Sequence, residues 1–413
     1  MKKGFTLVEL LSVIVILGVI SLIVFPVITK TMKASKEKLY QTQVFQLTES
    51  GKKWALEHIS DLDPEHVNDV YVPISMLKDL SYLDKEEITN PKDKTAMNGC
   101  IIIHYDTDKK SYNYTYQEYS GSEKKNTCTL STAGYVYEFT SDKWNKNNDH
   151  ATLSAIETIL NTNPLTASGS GLYEDTGIYY FRGTDANNYV TIGTETWRIL
   201  SINKVDRTIK LIKDRSISNS FWDNGSNILF LGTKDSNGNV VPSNALNLLE
   251  SYYDSSTSAI NTKIGTGIFN LKLYPTGSWN VGSIVDTTNN IDDLRRLEKT
   301  TIVTSKIGLL TPFEYVNASL SETCETTVSE SCRNDNYLYN LMASNPNFGG
   351  AWLLNNDGTS KIWYVNTNGA LATATPNTAT YSLFPVIIVK NTVVIDPNLG
   401  GTHGTKENPY VFK

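Results

Sequence analysis

The chain has 413 residues, a formal net charge of −6 and a pI of about 5.5. This acidic balance argues against the strongly basic surface through which proteins bind nucleic acid. The length allows more than one domain, and the abundance of Tyr, Thr, Ser and Asn is typical of a β-rich extracellular surface.

The first thirty residues combine a basic start, a Gly–Phe junction and a long apolar run. Lys2 and Lys3 precede Gly4 and Phe5, and the run extends to residue 28. Glu9 is a carboxylate inside this run. Because a charged side chain in a membrane helix costs about 2.5–3.5 kcal/mol on insertion scales, Glu9 is expected to have a partner and a function.

Two simpler interpretations account for less of this segment. A secretory signal peptide ends in a small-residue cleavage site, whereas residues 23–26 read Ile-Val-Phe-Pro and no Ala-x-Ala follows. A plain signal anchor is long enough, since residues 10–28 approach the ~20 needed to span a bilayer. It does not explain Glu9 or the junction between Gly4 and Phe5.

The segment resembles the class III leader of type IV pilins and type II secretion pseudopilins. The resemblance implies that a prepilin peptidase cuts between Gly4 and Phe5 and that the new amino group of Phe5 is methylated. The basic leader stays in the cytoplasm by the positive-inside bias. Glu9 then pairs with the Phe5 amine of a neighbouring subunit, which makes it an assembly residue. The matching positions are Lys2, Lys3, Gly4, Phe5, Thr6, Leu7, Glu9 and Leu10.

A long helix is predicted to follow the four-residue leader (residues 1–4). Residues 5–29 form its membrane-spanning or filament-core half, where Pro26 removes one backbone hydrogen bond and kinks the helix. The half that ends near residue 59 has apolar residues at three- and four-residue steps, which predicts packing on a globular head. These are Met32, Leu39, Tyr40, Val44, Leu47, Gly51, Trp54 and Ala55.

Residues 30–133 are predicted to complete a small head. A strand over residues 70–74 leads into a helical turn, and residues 99–105 and 111–116 form a hairpin. This resembles a pilin head, in which a small antiparallel sheet lies over the long helix. His104 reads as a strand side chain, and residues 120–132 read as a linker.

The four cysteines fall into two pairs. In an oxidising compartment the expected bridges are Cys100–Cys128 and Cys324–Cys332, and the alternative is free thiols in a reduced or anaerobic setting. No CxxC occurs, so neither redox catalysis nor a structural zinc site is indicated.

Residues 134–413 are predicted to form a large β-rich module of one domain or two. A hairpin over residues 196–212 is its clearest element. Residues 173–395 resemble bacterial surface modules of C-type-lectin-like or formylglycine-enzyme-like layout, which implies a glycan or protein ligand. The last strand of those modules often opens with Arg before Pro, whereas Phe384 precedes Pro385 here.

No enzyme signature is present. The sequence has no Gly-x-Ser-x-Gly elbow, HExxH, Walker A loop or strand-borne GxGxxG, so we expect no catalytic residues, cofactor or metal. Residues 235–239 depart from the EF-hand pattern and read as a hairpin turn. A calcium site in a lectin-like loop at residues 355–357 is conceivable but has no support in the sequence. Trp222, Trp279 and Trp352 either stack on a ligand or fill the core.

The sequence therefore predicts an α+β protein: a long transmembrane and amphipathic helix on a small antiparallel sheet, followed by a large β-rich domain. The expected function is a minor type IV pilin-like subunit with a surface-binding, adhesin-like domain. Alternatives are a pseudopilin of a type II secretion or DNA-uptake apparatus and a membrane-tethered ectodomain with a divergent enzymatic module. Expected partners are the peptidase/methylase, other pilin or pseudopilin subunits and an inner-membrane assembly platform. The chain is expected to be a single-pass membrane protein first and a pilus or cell-surface protein after assembly.

Overall fold

The computed structural model divides the chain into two compact units, residues 1–152 and residues 153–413. We call them the head unit and the C-terminal unit. The residues that it describes are 7–63, 66–86, 88–107, 109–118, 128, 134–148, 153–255, 277–285, 290–326, 329–390, 393–395 and 403–412. Gly4, Phe5 and all of the predicted linker except Cys128 lie outside them.

The predicted N-terminal helix is present as α1 (Leu7–Glu57). Its last turns pack on the head, where Leu47, Trp54 and Ala55 are fully buried. Two positions assigned to the packed face are exposed instead, Met32 to 55% and Leu39 to 57%. Apolar packing of the helix on the head begins at Tyr40, so the amphipathic face begins later than the spacing predicts.

The head sheet has five strands in the order β3-β2-β1-β4-β5. The predicted antiparallel hairpin is β2–β3, and the pair β1–β4, which the sequence did not predict, runs parallel. The strands of residues 134–147 pair with the head sheet, and the compact unit that contains them extends to residue 152. The elements are β1 (Asp69–Pro73), α2 (Ile74–Asp79), β2 (Gly99–Asp106), β3 (Ser111–Glu118), β4 (Gly134–Thr140) and β5 (Lys143–Asn147).

At Gly51, α1 lies close against the sheet. A Cβ added there would lie 2.6–2.9 Å from side-chain atoms of Ile101, including its branched Cβ. Ile101 is fully buried on β2 and has little freedom to move, because branching at Cβ restricts its χ1 rotamers. Glycine at this position therefore sets the distance between the helix and the sheet.

Replacing Gly51 with leucine is expected to destabilise the head by about 1–2 kcal/mol. Overpacking a filled core typically costs 1–3 kcal/mol, and the better helix propensity of leucine returns less than about 1 kcal/mol. Calorimetric unfolding of the full chain in mild detergent measures the effect. Lys52→Leu, at the exposed neighbouring position, is the control and should leave the unfolding temperature nearly unchanged. An unchanged temperature for Gly51→Leu would show that the helix is free to shift away from the sheet.

The C-terminal unit forms one compact β-rich body with two main sheets. Its earlier strands are β6 (Gly171–Asp175), β7 (Ile178–Arg182), β8 (Tyr189–Ile192), β9 (Glu195–Asn203), β10 (Thr208–Lys213), β11 (Ser218–Ser220), β12 (Thr233–Lys234) and β13 (Val240–Val241). Its later strands are β14 (Gly277–Asn280), β15 (Ile302–Ser305), β16 (Ala351–Asn356), β17 (Ile362–Val365), β18 (Leu371–Ala374), β19 (Tyr381–Leu383), β20 (Val386–Lys390) and β21 (Tyr410–Val411).

The first sheet has the order β20-β10-β9-β7-β6, with β8 between β9 and β21. The second sheet has the order β11-β19-β16-β17-β18. The predicted hairpin of residues 196–212 is β9–β10, and the predicted turn of residues 235–239 joins β12 to β13. The helices are α3 (Ala155–Thr162), α4 (Asn244–Asp254), α5 (Ile291–Glu298), α6 (Pro312–Asn317), α7 (Glu322–Thr326) and α8 (Tyr337–Ala343).

Candidate functional site

The N-terminal half of α1 exposes an apolar surface. Fifteen large apolar side chains from Leu7 to Ile28 are at least 43% exposed. The twenty residues 10–29 contain no charged side chain, and at 1.5 Å per residue they extend about 30 Å, the thickness of the hydrocarbon layer. By length and composition this helix can cross a membrane. Water is an unfavourable solvent for such a surface, so a membrane or other helices must cover it.

Polar side chains in this half of the helix fit the same conclusion. The Ser12 hydroxyl donates to the carbonyl of Val8 at 2.8 Å, and the Thr31 hydroxyl donates to the carbonyl of Val27 at 2.9 Å. Both hydroxyl groups are thus satisfied within the helix itself. This matters in an apolar layer, where an unpaired polar group costs several kcal/mol.

Glu9 lies in the first turn of α1 and is exposed. A carboxylate is favoured there because the N-terminal end of a helix carries a partial positive charge. The cleavage and methylation positions Gly4 and Phe5 precede the described residues, so the structure gives no geometry between them and Glu9. Helix α1 runs without interruption through Pro26, and a kink at that proline stays a prediction.

The cysteines form two disulfide bonds, Cys100–Cys128 and Cys324–Cys332, with Cα–Cα distances of 5.8 and 4.8 Å. These are the pairings that the sequence analysis gives for an oxidising compartment. The first bond lies within the head unit and the second within the C-terminal unit. Cross-links of this kind stabilise a fold chiefly by restricting the unfolded chain, so they serve structure here.

The three tryptophans considered as ligand-stacking residues lie in the core. Trp222 and Trp279 are fully buried and Trp352 is 1% exposed. Two of their indole nitrogens donate to backbone carbonyls, Trp279 to Ser305 at 2.9 Å and Trp352 to Ser220 at 2.8 Å. None of the three presents a face on which a sugar could stack.

In the loop considered for calcium, most side-chain oxygens accept hydrogen bonds, whereas Asn355 Oδ1 is buried without a partner among the described residues. Asp357 Oδ1 accepts hydrogen bonds from the backbone N–H groups of residues 359–361 at 2.9–3.0 Å. Asn356 Oδ1 accepts from the Ser283 hydroxyl, and Asn355 Nδ2 donates to the backbone carbonyls of Asn280 and Gly282. Within the described part of the chain, no three His, Cys, Asp or Glu side chains come together as a metal site would require.

Sequence reasoning missed a buried acidic group in the C-terminal unit. Glu298, the last residue of α5, is 2% exposed, and within the described residues its Oε2 has no hydrogen-bond partner. Burial raises the pKa of Glu298 from 4.5 to about 8, and the negative charge of Glu314 adds to the effect. Glu314 forms an ion pair with Lys210 at 2.5 Å. Since Glu298 ends a charged segment of α5, the sequence indicates an exposed residue, and only the packing of α5 on α6 reveals its burial.

A second missed residue is Arg198, in the middle of β9. Its guanidinium lies between the rings of Tyr189 and Tyr337, at 3.7 and 4.8 Å from their centroids. Its Nε donates to Asn188 Oδ1 at 2.5 Å. Burial is the main cause of the lowered pKa of Arg198. The side chain joins β8, β9 and α8 and has a structural role.

Comparison with known proteins gives one match, and it covers the N-terminal segment. Residues 1–25 match the prokaryotic N-terminal methylation motif. No curated protein and no solved structure matches the chain, and the lectin-like resemblance of residues 173–395 gains no support. The motif and the apolar N-terminal helix fit a membrane-anchored precursor. The chain is therefore a protein with a prokaryotic N-terminal methylation motif, consistent with the type IV pilin and pseudopilin family.

Proposed function

We propose that this protein is a minor pilin-like subunit that assembles through α1 and displays its C-terminal unit at the cell surface. The observation that carries the proposal is the methylation motif of residues 1–25 at the start of an exposed apolar helix. A prepilin peptidase removes residues 1–4 and the new amino group of Phe5 is methylated. The apolar half of α1 first spans the membrane and then packs among the helices of other subunits.

The size of the C-terminal unit favours a minor subunit. A unit of residues 153–413 on every subunit is difficult to repeat along a tightly packed shaft, and easier to place at a tip or at sparse positions. The unit acts in binding, as an adhesin-like domain for a glycan or protein, and not as an enzyme. A pseudopilin of a secretion or DNA-uptake apparatus is the alternative, because the same motif precedes both kinds of subunit.

The test is the intact mass and N-terminal sequence of the chain from membranes of cells that express a prepilin peptidase. We expect a chain that begins at Phe5 and carries one additional methyl group. Gly4→Ala should reduce cleavage strongly, since glycine allows the peptidase close access to the backbone. Gly18→Ala adds the same methyl group where nothing lies within 4 Å, and should be processed like the natural chain. An uncut Met1 in the natural chain would overturn the proposal and leave a tethered ectodomain.

A further inference from the structure

A cluster of lysines follows the apolar half of α1 immediately. Lys30 is the first charged residue after the uncharged segment of residues 10–29, and Lys33, Lys36 and Lys38 follow. We call these four residues the lysine collar. Three of them are exposed and Lys36 is half-buried. Within the described residues none of the four forms an ion pair, so their charges remain available to a partner.

The carboxylates nearest the collar are engaged by the head. Glu37 forms an ion pair with Lys92 at 2.7 Å, and Asp93 accepts hydrogen bonds from the backbone and hydroxyl of Thr95. Glu118 lies close to Tyr40, one turn further along α1. The collar side of the head therefore keeps an excess of positive charge.

A loop of the head lies beside the collar. Lys36 Nζ donates to the carbonyl of Lys92 at 3.5 Å, which holds the loop of residues 90–94 beside the collar. Lys92 and Lys94 are both exposed there. Because Lys92 is already paired with Glu37 and Asp93 offsets the charge of Lys94, the loop adds no net charge, and the excess of positive charge lies on the collar itself.

The lysines of the collar are placed to contact a layer of lipid headgroups around the helix, rather than a partner protein on one side of it. At about 100° per residue, the four lysines spread over roughly 200° of the helix circumference, and they extend about 12 Å along its axis. The headgroup region outside a hydrocarbon core of about 30 Å is roughly 5–8 Å thick on each side. Long lysine side chains reach back toward that region.

We propose that the lysine collar binds anionic phospholipid headgroups while the chain is anchored in the membrane, before assembly. This inference rests on the membrane-anchored stage of the proposed function. The ligand class is a phosphate-bearing lipid headgroup with net negative charge, such as phosphatidylglycerol. Binding would hold the head against the bilayer surface and set the depth of α1.

The test uses the full chain reconstituted in phosphatidylcholine bilayers with traces of spin-labelled lipid. We expect the chain to immobilise spin-labelled phosphatidylglycerol in preference to phosphatidylcholine, by up to about fivefold for each lysine at headgroup level in low salt. Raising the salt concentration to about 0.5 M should largely remove the preference. The combined variant Lys30→Gln, Lys33→Gln, Lys36→Gln and Lys38→Gln should show almost none.

Two controls distinguish the collar from charge in general. Arginine at the same four positions should retain the preference for phosphatidylglycerol. The matched variant, which has the same charge change away from the membrane end of α1, should also retain it. It consists of Lys52→Gln, Lys53→Gln, Lys110→Gln and Lys143→Gln.

The outcomes also separate this inference from the proposed function. Flotation of the chain with the vesicles reports membrane anchoring by α1. If the chain floats but immobilises both lipids equally, the inference of headgroup binding by the lysine collar is wrong and the membrane anchor stands. A chain that does not float with vesicles overturns both. If the natural chain shows no lipid preference and the collar variant is lost from filaments, the partner is an acidic surface of another subunit and the lipid inference is wrong.

Discussion

Replacing Glu9 with glutamine is expected to remove the chain from filaments without preventing the loss of residues 1–4. In the proposed assembly the Glu9 carboxylate neutralises the Phe5 amino group of a neighbouring subunit inside an apolar layer. Glutamine keeps the size of the side chain but not its charge, so the ammonium group stays buried and unpaired. Breaking such a pair costs about 3–5 kcal/mol, which weakens subunit association by a factor of roughly one hundred to several thousand.

The measurement is the ratio of chain in the sheared filament fraction to chain in the membrane fraction, by quantitative immunoblot. Glu49→Gln is the matched control, because Glu49 is exposed on the same helix and pairs only loosely with Lys52 at 3.7 Å. It should be incorporated at the natural level. Incorporation of Glu9→Gln at that level would contradict the assembly role of Glu9, and an uncut Glu9→Gln chain would place the residue in peptidase recognition instead.

Replacing Glu298 with glutamine is expected to stabilise the C-terminal unit at pH 8 and to have little effect near pH 4.5. The folded state raises the pKa of Glu298 to about 8, so it keeps a proton that the unfolded chain releases above pH 4.5. The stability that this proton provides is complete below pH 4.5 and declines as the pH rises toward 8, by about 1.4 kcal/mol per pH unit at most. Glutamine has no proton to lose, so its advantage should reach about 3–5 kcal/mol at pH 8.

Denaturant unfolding of the full chain in detergent, followed by near-ultraviolet circular dichroism at several pH values, measures this difference. The signal reports chiefly on the C-terminal unit, since five of the seven tryptophans lie between residues 197 and 363. Glu407→Gln, at an exposed position, should follow the natural chain at every pH. A constant difference between Glu298→Gln and the natural chain from pH 4.5 to 8 would mean that Glu298 is ionised in the folded state.

Local patterns allowed much of the fold to be predicted. The long helix follows from an unbroken apolar run and then a three- and four-residue spacing that ends near Trp54. The hairpins β2–β3 and β9–β10 follow from alternating strands separated by short polar turns. These features depend on neighbours within a few residues, and such patterns are visible in one sequence.

Features that depend on distant contacts could not be predicted in this way. The parallel pair β1–β4 joins Asp69 to Gly134, and no local pattern identifies the partner of a strand so far along the chain. The burial of Glu298 and of Trp279 arises from elements that meet only in the folded unit. For the N-terminal segment the sequence is more informative than the structure. The motif of residues 1–25 is visible in the sequence, whereas the structure describes this segment only from Leu7.

The strands that complete the C-terminal unit lie far along the chain from their partners, which would set the order of events in the proposed export. β20 pairs with β10, β21 pairs with β8, and Phe412 is fully buried. Until residues 386–412 have crossed the membrane, β10 has an open edge that can pair with other chains. The unit therefore cannot fold as it emerges and pull the remaining chain outward. In the proposed export, its early strands would need protection from aggregation and proteolysis until residues 386–412 have also crossed the membrane.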